Sequence, residues 1–275
     1  MSLRINTNVN ALTVQNAMSV NGRATDRSMK NLATGSRISD PSADVAGAAV
    51  AEQMKSEIKG MEAAKMNAEA AVGFASVAEG ALNEQNTILT RMRELAVQAA
   101  SDQYSGAERT MMHKEYSELR EELDRIARTT RYGSQNILDG SVKQFDFQVG
   151  TRAGKDSRIS YSSDSNTTAD ELGVGSAAVD TKSAALESLE SIDKAMGKVA
   201  MSRASFGAMQ SRLDSAQNNL GVGIEKISAA RSRIADADLG KEASDFRKGQ
   251  ILQQYQSSML QQANDQAGLA LKLIG

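Results

Sequence analysis

At 275 residues the chain is long enough for one large domain or two ordinary ones, and 32 basic against 34 acidic side chains leave a formal charge of −2. No stretch carries the sustained positive excess of a nucleic-acid binder, and the absence of Cys removes disulfides, thiolate chemistry and Cys-based zinc sites together. Aromatics make up 4%, Trp is absent and Pro occurs once, so packing rests on Leu, Ile, Val, Met and Ala along helical seams.

The first ten residues hold no apolar core of signal-peptide length and no later run approaches a membrane span, so no membrane insertion is expected. Residues 1–34 read as an amphipathic helix with Ile5, Val9, Leu12 and Met18 near helical spacing. Turn formers fill 33–44, where Asp40 is placed to cap a helix with Pro41 at its first position. A long helix is expected from there to about Ala100, clearest at Leu82, Ile88 or Leu89, Met92, Leu95 and Ala99. After a loop at 101–106, Met112, Tyr116, Leu119, Leu123 and Ile126 mark a second helix returning antiparallel to the first.

The period then changes. Phe145, Phe147 and Val149 alternate with polar residues, as do Ile159 and Tyr161, predicting a hairpin over about 143–161. Residues 162–181, rich in Ser, Thr, Asp and Gly, read as exposed connection. Next comes the strongest pattern: Ile192, Val199, Phe206, Leu213, Leu220, Ile227 and Ile234 recur every seven residues, with mostly small partners at Ala195, Ser202, Met209, Ala216, Gly223 and Ala230. This heptad seam predicts a rod core of roughly 60 Å at ~1.5 Å per residue. The last forty residues are again amphipathic, with Leu252, Tyr255, Met259, Leu269 and Leu273.

The fold class expected is therefore mainly α. Long antiparallel helices form a coiled-coil-like rod, with a small β-hairpin region in the middle and N- and C-terminal arms that pair. The arms, 1–44 with 236–275, form one domain, and 45–180 with 181–235 the other. The single His113 lacks a partner for catalysis and reads as an exposed structural residue, no carboxylate cluster has metal-loop spacing, and no glycine motif cradles phosphate, so neither an enzyme nor a cofactor or metal site is indicated. The arms are not basic enough for a membrane surface. Their apolar stripes (Ile5, Val9, Leu12, Leu252, Tyr255, Met259, Leu269 and Leu273) fit repeated contact with other copies of the chain.

Several segments resemble the bacterial flagellins: MSLRINTNVNAL at the start, LATGSRISDPSADVAGAAVAEQM, ALNEQNTILTRMRELAVQAA, NILDG, FQVG, and the C-terminal run from SRIADADLG to the end, all in family order. The similarity spans about 1–160 and 180–275, with Ser36 standing where the family usually has Leu and Val45 where it usually has Ala. It implies a secreted filament subunit for motility, near-minimal because only 150–181 is free to carry outer domains. It also implies export unfolded through the flagellar type III apparatus, a chaperone on the C-terminal helix, and contact with hook-associated and cap proteins. Matching the Arg-x-Arg-Glu-Leu-Ala-Val-Gln motif implies recognition by Toll-like receptor 5 through Arg91, Leu95 and Glu115. A hook–filament junction protein and a cytosolic coiled-coil adaptor are the alternatives.

Overall fold

The structure, a computed structural model, describes residues 7–162 and 166–274, with side chains described as far as 265. Six helices carry the fold: α1 (Val9–Thr34), α2 (Val45–Ala100), α3 (Gly106–Thr129), α4 (Ala169–Leu172), α5 (Lys182–Ala235) and α6 (Leu239–Ile274). Four short strands, β1 (Arg131–Tyr132), β2 (Gln135–Asn136), β3 (Gln144–Gln148) and β4 (Arg158–Ser162), form two antiparallel pairs. Contacts divide the chain into two compact units, cut between Ser56 and Glu57 and between Glu225 and Lys226. Both cuts fall inside uninterrupted helices, α2 and α5.

Each long helix starts on a polar side chain that satisfies an orphan backbone donor. Asn8 Oδ1 accepts from Ala11 N–H at 3.0 Å, Ser105 and Glu108 form a capping box, Thr181 Oγ1 accepts from Ala184 N–H at 3.2 Å, and Asp238 Oδ1 accepts from Gly240 and Lys241. The start of α2 corrects the sequence expectation. Asp40 closes a turn by accepting from Ser42 N–H, and Asp44 caps the helix by accepting from Gly47 N–H at 2.8 Å. The chain spends 40–43 in a turn, so Pro41 lies before the helix instead of at its first position.

In the larger unit, α3 and α5 both pack on α2. The buried stripe Ala68, Ala71, Ala75, Ala78, Leu82, Leu89, Met92, Ala96 and Ala99 of α2 meets Tyr116 and Leu123 of α3 and Ile192, Val199, Phe206 and Leu213 of α5. Small residues on α2 let the helices close up while the large side chains of the other two fill the seam. Ion pairs tie the outer faces, Arg91 to Glu115 at 2.7 Å and Arg93 to Asp193 at 2.8 Å. The heptad seam divides along its length: Ile192, Val199, Phe206 and Leu213 are buried, while Leu220, Ile227 and Ile234 are only half-buried.

The hairpin pairs Phe145 with Tyr161 and Phe147 with Ile159, and its apolar face covers Phe74. Of five Phe and five Tyr in the chain, six gather here. Phe74 lies 4.7 Å from Phe145 and 5.3 Å from Phe147, and Tyr161 stacks on Phe206 at 4.4 Å.

Residues 166–179 are a second correction. The segment is a buried strap, not an exposed connection: Thr167, Ala169, Leu172, Val174 and Val179 are buried around the short α4. Gln85 Nε2, itself buried on α2, donates to the carbonyls of Leu123 (3.2 Å) and Thr167 (3.3 Å), and Arg120 Nη1 donates to Gly175 O at 2.8 Å. His113, expected exposed, is half-buried, and its Nδ1 accepts from Val179 N–H at 3.4 Å. Polar composition hid the strap because its four apolar anchors are spaced irregularly among turn residues.

Candidate assembly interface

The smaller unit is built on α1 packed against α6. The partners of Asn8, the N-cap of α1, and of Asn21 and Asn31 within it are Ala263, Gly249 and Glu242 on α6, in descending order, so the two helices run antiparallel. At one end Ser36 bridges to Asp236, Arg37 N–H donates to Ala235 O at 2.7 Å, and the Arg37 guanidinium donates to Ile234 O at 2.8 Å. A cation on the last carbonyls of α5 also complements the negative end of that helix.

The half-buried or buried residues of α1 include Ala11, Val14, Met18, Asn21, Thr25, Ser28 and Asn31, at steps of three and four, with Gly22 and Leu32 beside them. On α6 they are Glu242, Phe246, Gly249, Gln256, Leu260 and Ala263. Both series are heptad seams, but their content shifts from apolar at one end to polar at the other. The large apolar residues predicted as contacts point elsewhere. Val9, Leu12, Leu252, Tyr255 and Met259 are exposed, Tyr255 to 68%, and so are Val20, Met29 and Ile251. Ile5 and the side chains of Leu269 and Leu273 lie outside the described residues. Apart from Met18, the residues singled out in the sequence lie on the outward stripe, and the inward one, marked by the three–four spacing of mostly small and polar residues, was missed.

Of the three residues predicted as a receptor surface, the structure brings two together at the exposed face. Arg91 Nη2 lies 2.7 Å from Glu115 Oε1 and Nη1 lies 2.9 Å from Glu94, and hydrogen bonding to Glu115 above all holds the guanidinium in its charged form. Leu95 corrects the expectation. It is 2% exposed, because α2 turns that position into the core beside Met92 and Ala96. Among the described residues no group of His, Cys, Asp or Glu could hold a metal ion.

Similarity to known proteins decides the family. A family model described as the bacterial flagellin N-terminal helical region matches residues 5–143, and one for the C-terminal helical region matches 189–274. The chain is 33% identical to a flagellin of Halalkalibacterium halodurans over 270 residues, covering 98% of this chain and 99% of that one. It is 34% identical to a flagellin of Bacillus subtilis over 306 residues, covering 99% and 100%. The chain belongs to the bacterial flagellin family. As a flagellin it is a structural subunit of the extracellular flagellar filament, not an enzyme. Among solved structures, the crystal structure of Bacillus cereus flagellin aligns with a TM-score of 0.51 at 27% identity, over 56% of this chain and 88% of that one. A hook-associated protein of Vibrio parahaemolyticus aligns at 0.57 with 12% identity, over 70% and 100%, a likeness of fold alone. No helix among the described residues is long and apolar enough to cross a membrane.

Proposed function

We propose that the α1–α6 pair is the assembly element of this flagellin, forming the inner tube of the filament, and that the rod of α2, α3 and α5 forms the layer around it. The observation that carries this is the outward stripe. Val9, Leu12, Leu252, Tyr255 and Met259 are exposed in the single chain, whereas the pair's own seam is apolar only toward one end and small or polar toward the other. Apolar area of that size is stabilised by cover, and repeated neighbours in a polymer supply it. Leu269 and Leu273 belong to the same proposed contact by sequence. Burying two such side chains contributes about 3 kcal/mol or more, so Tyr255→Ser with Met259→Ser should raise the critical concentration for polymerisation at least tenfold. Sedimentation of assembled polymer measures it, and an unchanged critical concentration rejects the reading.

Family resemblance supports three further partners: a chaperone on α6 before export, the type III export apparatus, and hook-associated and cap proteins at the filament ends. Recognition by Toll-like receptor 5, which the resemblance implies, falls on Arg91 and Glu115. Their pairing on the exposed face of α2 and α3 supports it, and Arg91→Ala should weaken binding of the soluble chain to the receptor ectodomain by at least ~1 kcal/mol.

A further inference from the structure

We propose that Asn8, Asn21 and Asn31 form a polar ladder that sets the register of α1 against α6, and so decides which apolar residues the pair presents to neighbouring subunits. The inference rests on the assembly role proposed for the pair.

Three amides at well-separated points of α1 reach across to α6. Asn8 Nδ2 donates to Ala263 O at 2.9 Å while its Oδ1 caps α1. Asn21 Nδ2 donates to Gly249 O at 2.9 Å. Asn31, 3% exposed, is satisfied at both ends: Nδ2 donates to Glu242 Oε1 at 2.9 Å and Oδ1 accepts from Ser39 Oγ at 2.8 Å. Beside the Asn21 contact the helices come close: Gly249 is buried, and a Cβ there would overlap Thr25 Oγ1. A larger residue there would have to push the Thr25 side chain aside.

These groups add little burial of apolar area, so their contribution is alignment. The two buried residues of α1 are Ser28 and Asn31, both polar. A seam of small apolar residues alone would tolerate a slip of one turn with modest loss. With the ladder, any slip takes Glu242 away from the buried Asn31 Nδ2 and drives a side chain against Thr25, and single buried Asn residues specify register in paired helices in the same way. A slip of one turn would also move Leu252, Tyr255 and Met259 about 5.4 Å along Val9 and Leu12. The stripe that neighbours read would no longer match.

Leucine at the ladder positions separates alignment from burial. Asn21→Leu with Asn31→Leu makes the seam more apolar and leaves the Asn8 cap of α1 in place. If burial alone mattered, polymerisation would hold or improve; if register matters, the critical concentration should rise at least fivefold with rod helicity and melting unchanged. An equal or lower critical concentration overturns the ladder. Register is read directly in a cysteine-free chain by Thr25→Cys with Gly249→Cys, because an added Cβ at 249 would lie 3.3 Å from Thr25 Cβ, near the ~3.8 Å of a disulfide. Oxidation should cross-link the chain with native asparagines and cross-link the leucine variant several-fold less, and equal yields again overturn the proposal. If the cysteines themselves block pairing, helical reconstruction of filaments from Asn21→Leu, Asn31→Leu gives the register, and a native register rejects it. The assembly reading fails separately: it falls if the Tyr255→Ser, Met259→Ser chain polymerises normally, whatever the ladder variants do.

Discussion

Leu213 and Gln85 are both buried in the larger unit, but their contributions differ in kind. Leu213 ends the fully buried part of the heptad seam, and a carboxylate there would have no partner among the apolar side chains around it. Leu213→Asp should cost about 3 kcal/mol or more, visible as a large fall in melting temperature, and an unchanged melt would mean the seam does not carry the rod. Gln85 adds little apolar area. It fixes the strap by donating to one carbonyl on α3 and one at Thr167. Gln85→Leu keeps the volume and removes both donors, so it should cost ~1–2 kcal/mol and loosen 166–179 first. Hydrogen exchange at Thr167 N–H, which donates to Leu138 O at 2.9 Å, reports that loosening. Unaltered protection there would show the strap to be held by Leu172, Val174 and Val179 alone.

Helix starts and helix faces respond to pH. Glu108 is held below the ordinary carboxylate range chiefly by the Ser105 backbone N–H of its capping box, Asp102 by hydrogen bonding to Lys182, and Glu190 by hydrogen bonding to Lys194. A depressed carboxyl binds its proton later in the folded chain than in the unfolded one. The stabilisation is therefore complete above the ordinary carboxylate value and lost as pH falls through the lower folded values. The rod's melting temperature should stay nearly flat from pH 7 to 5 and drop below about pH 4. In Glu108→Gln the side chain still reaches the Ser105 N–H but no longer titrates, so the fall between pH 7 and pH 3 should be smaller than in the parent chain. An equal fall in both would remove the capping box from the acid response.

The two units differ in how much apolar surface they bury by themselves. The larger gathers Phe74, Phe145, Tyr161, Phe206 and the stripe of α2 into one core, whereas the buried positions of α1 are Ser28 and Asn31. The α1–α6 pair should open readily in the free subunit. Trypsin should then trim the monomer to roughly residues 45–235 and leave a helical core, because ordering the arms costs more entropy than their own contacts recover. A trimmed core that still built ordinary filaments would reject the assembly role of the arms. Much of this architecture was legible in sequence. The heptads of α5, the alternation of Phe145 and Phe147 with polar residues, and the apolar spacing of α2 and α3 are local repeats whose period is the signature of the element. The family, too, was legible, through ordered motifs at both ends. Three features were decided by tertiary contact alone. Leu95 points inward because its face of α2 belongs to the core of the larger unit. The strap at 166–179 is buried because Gln85, Arg120 and His113, distant in sequence, meet its backbone. The inner seam of the terminal pair runs through Asn21, Thr25 and Gly249, residues that read as polar surface until a second helix approaches closely enough to bond them. Periodicity reports which residues share a face; which face is covered depends on what arrives from elsewhere in the chain, and that is a property of the fold.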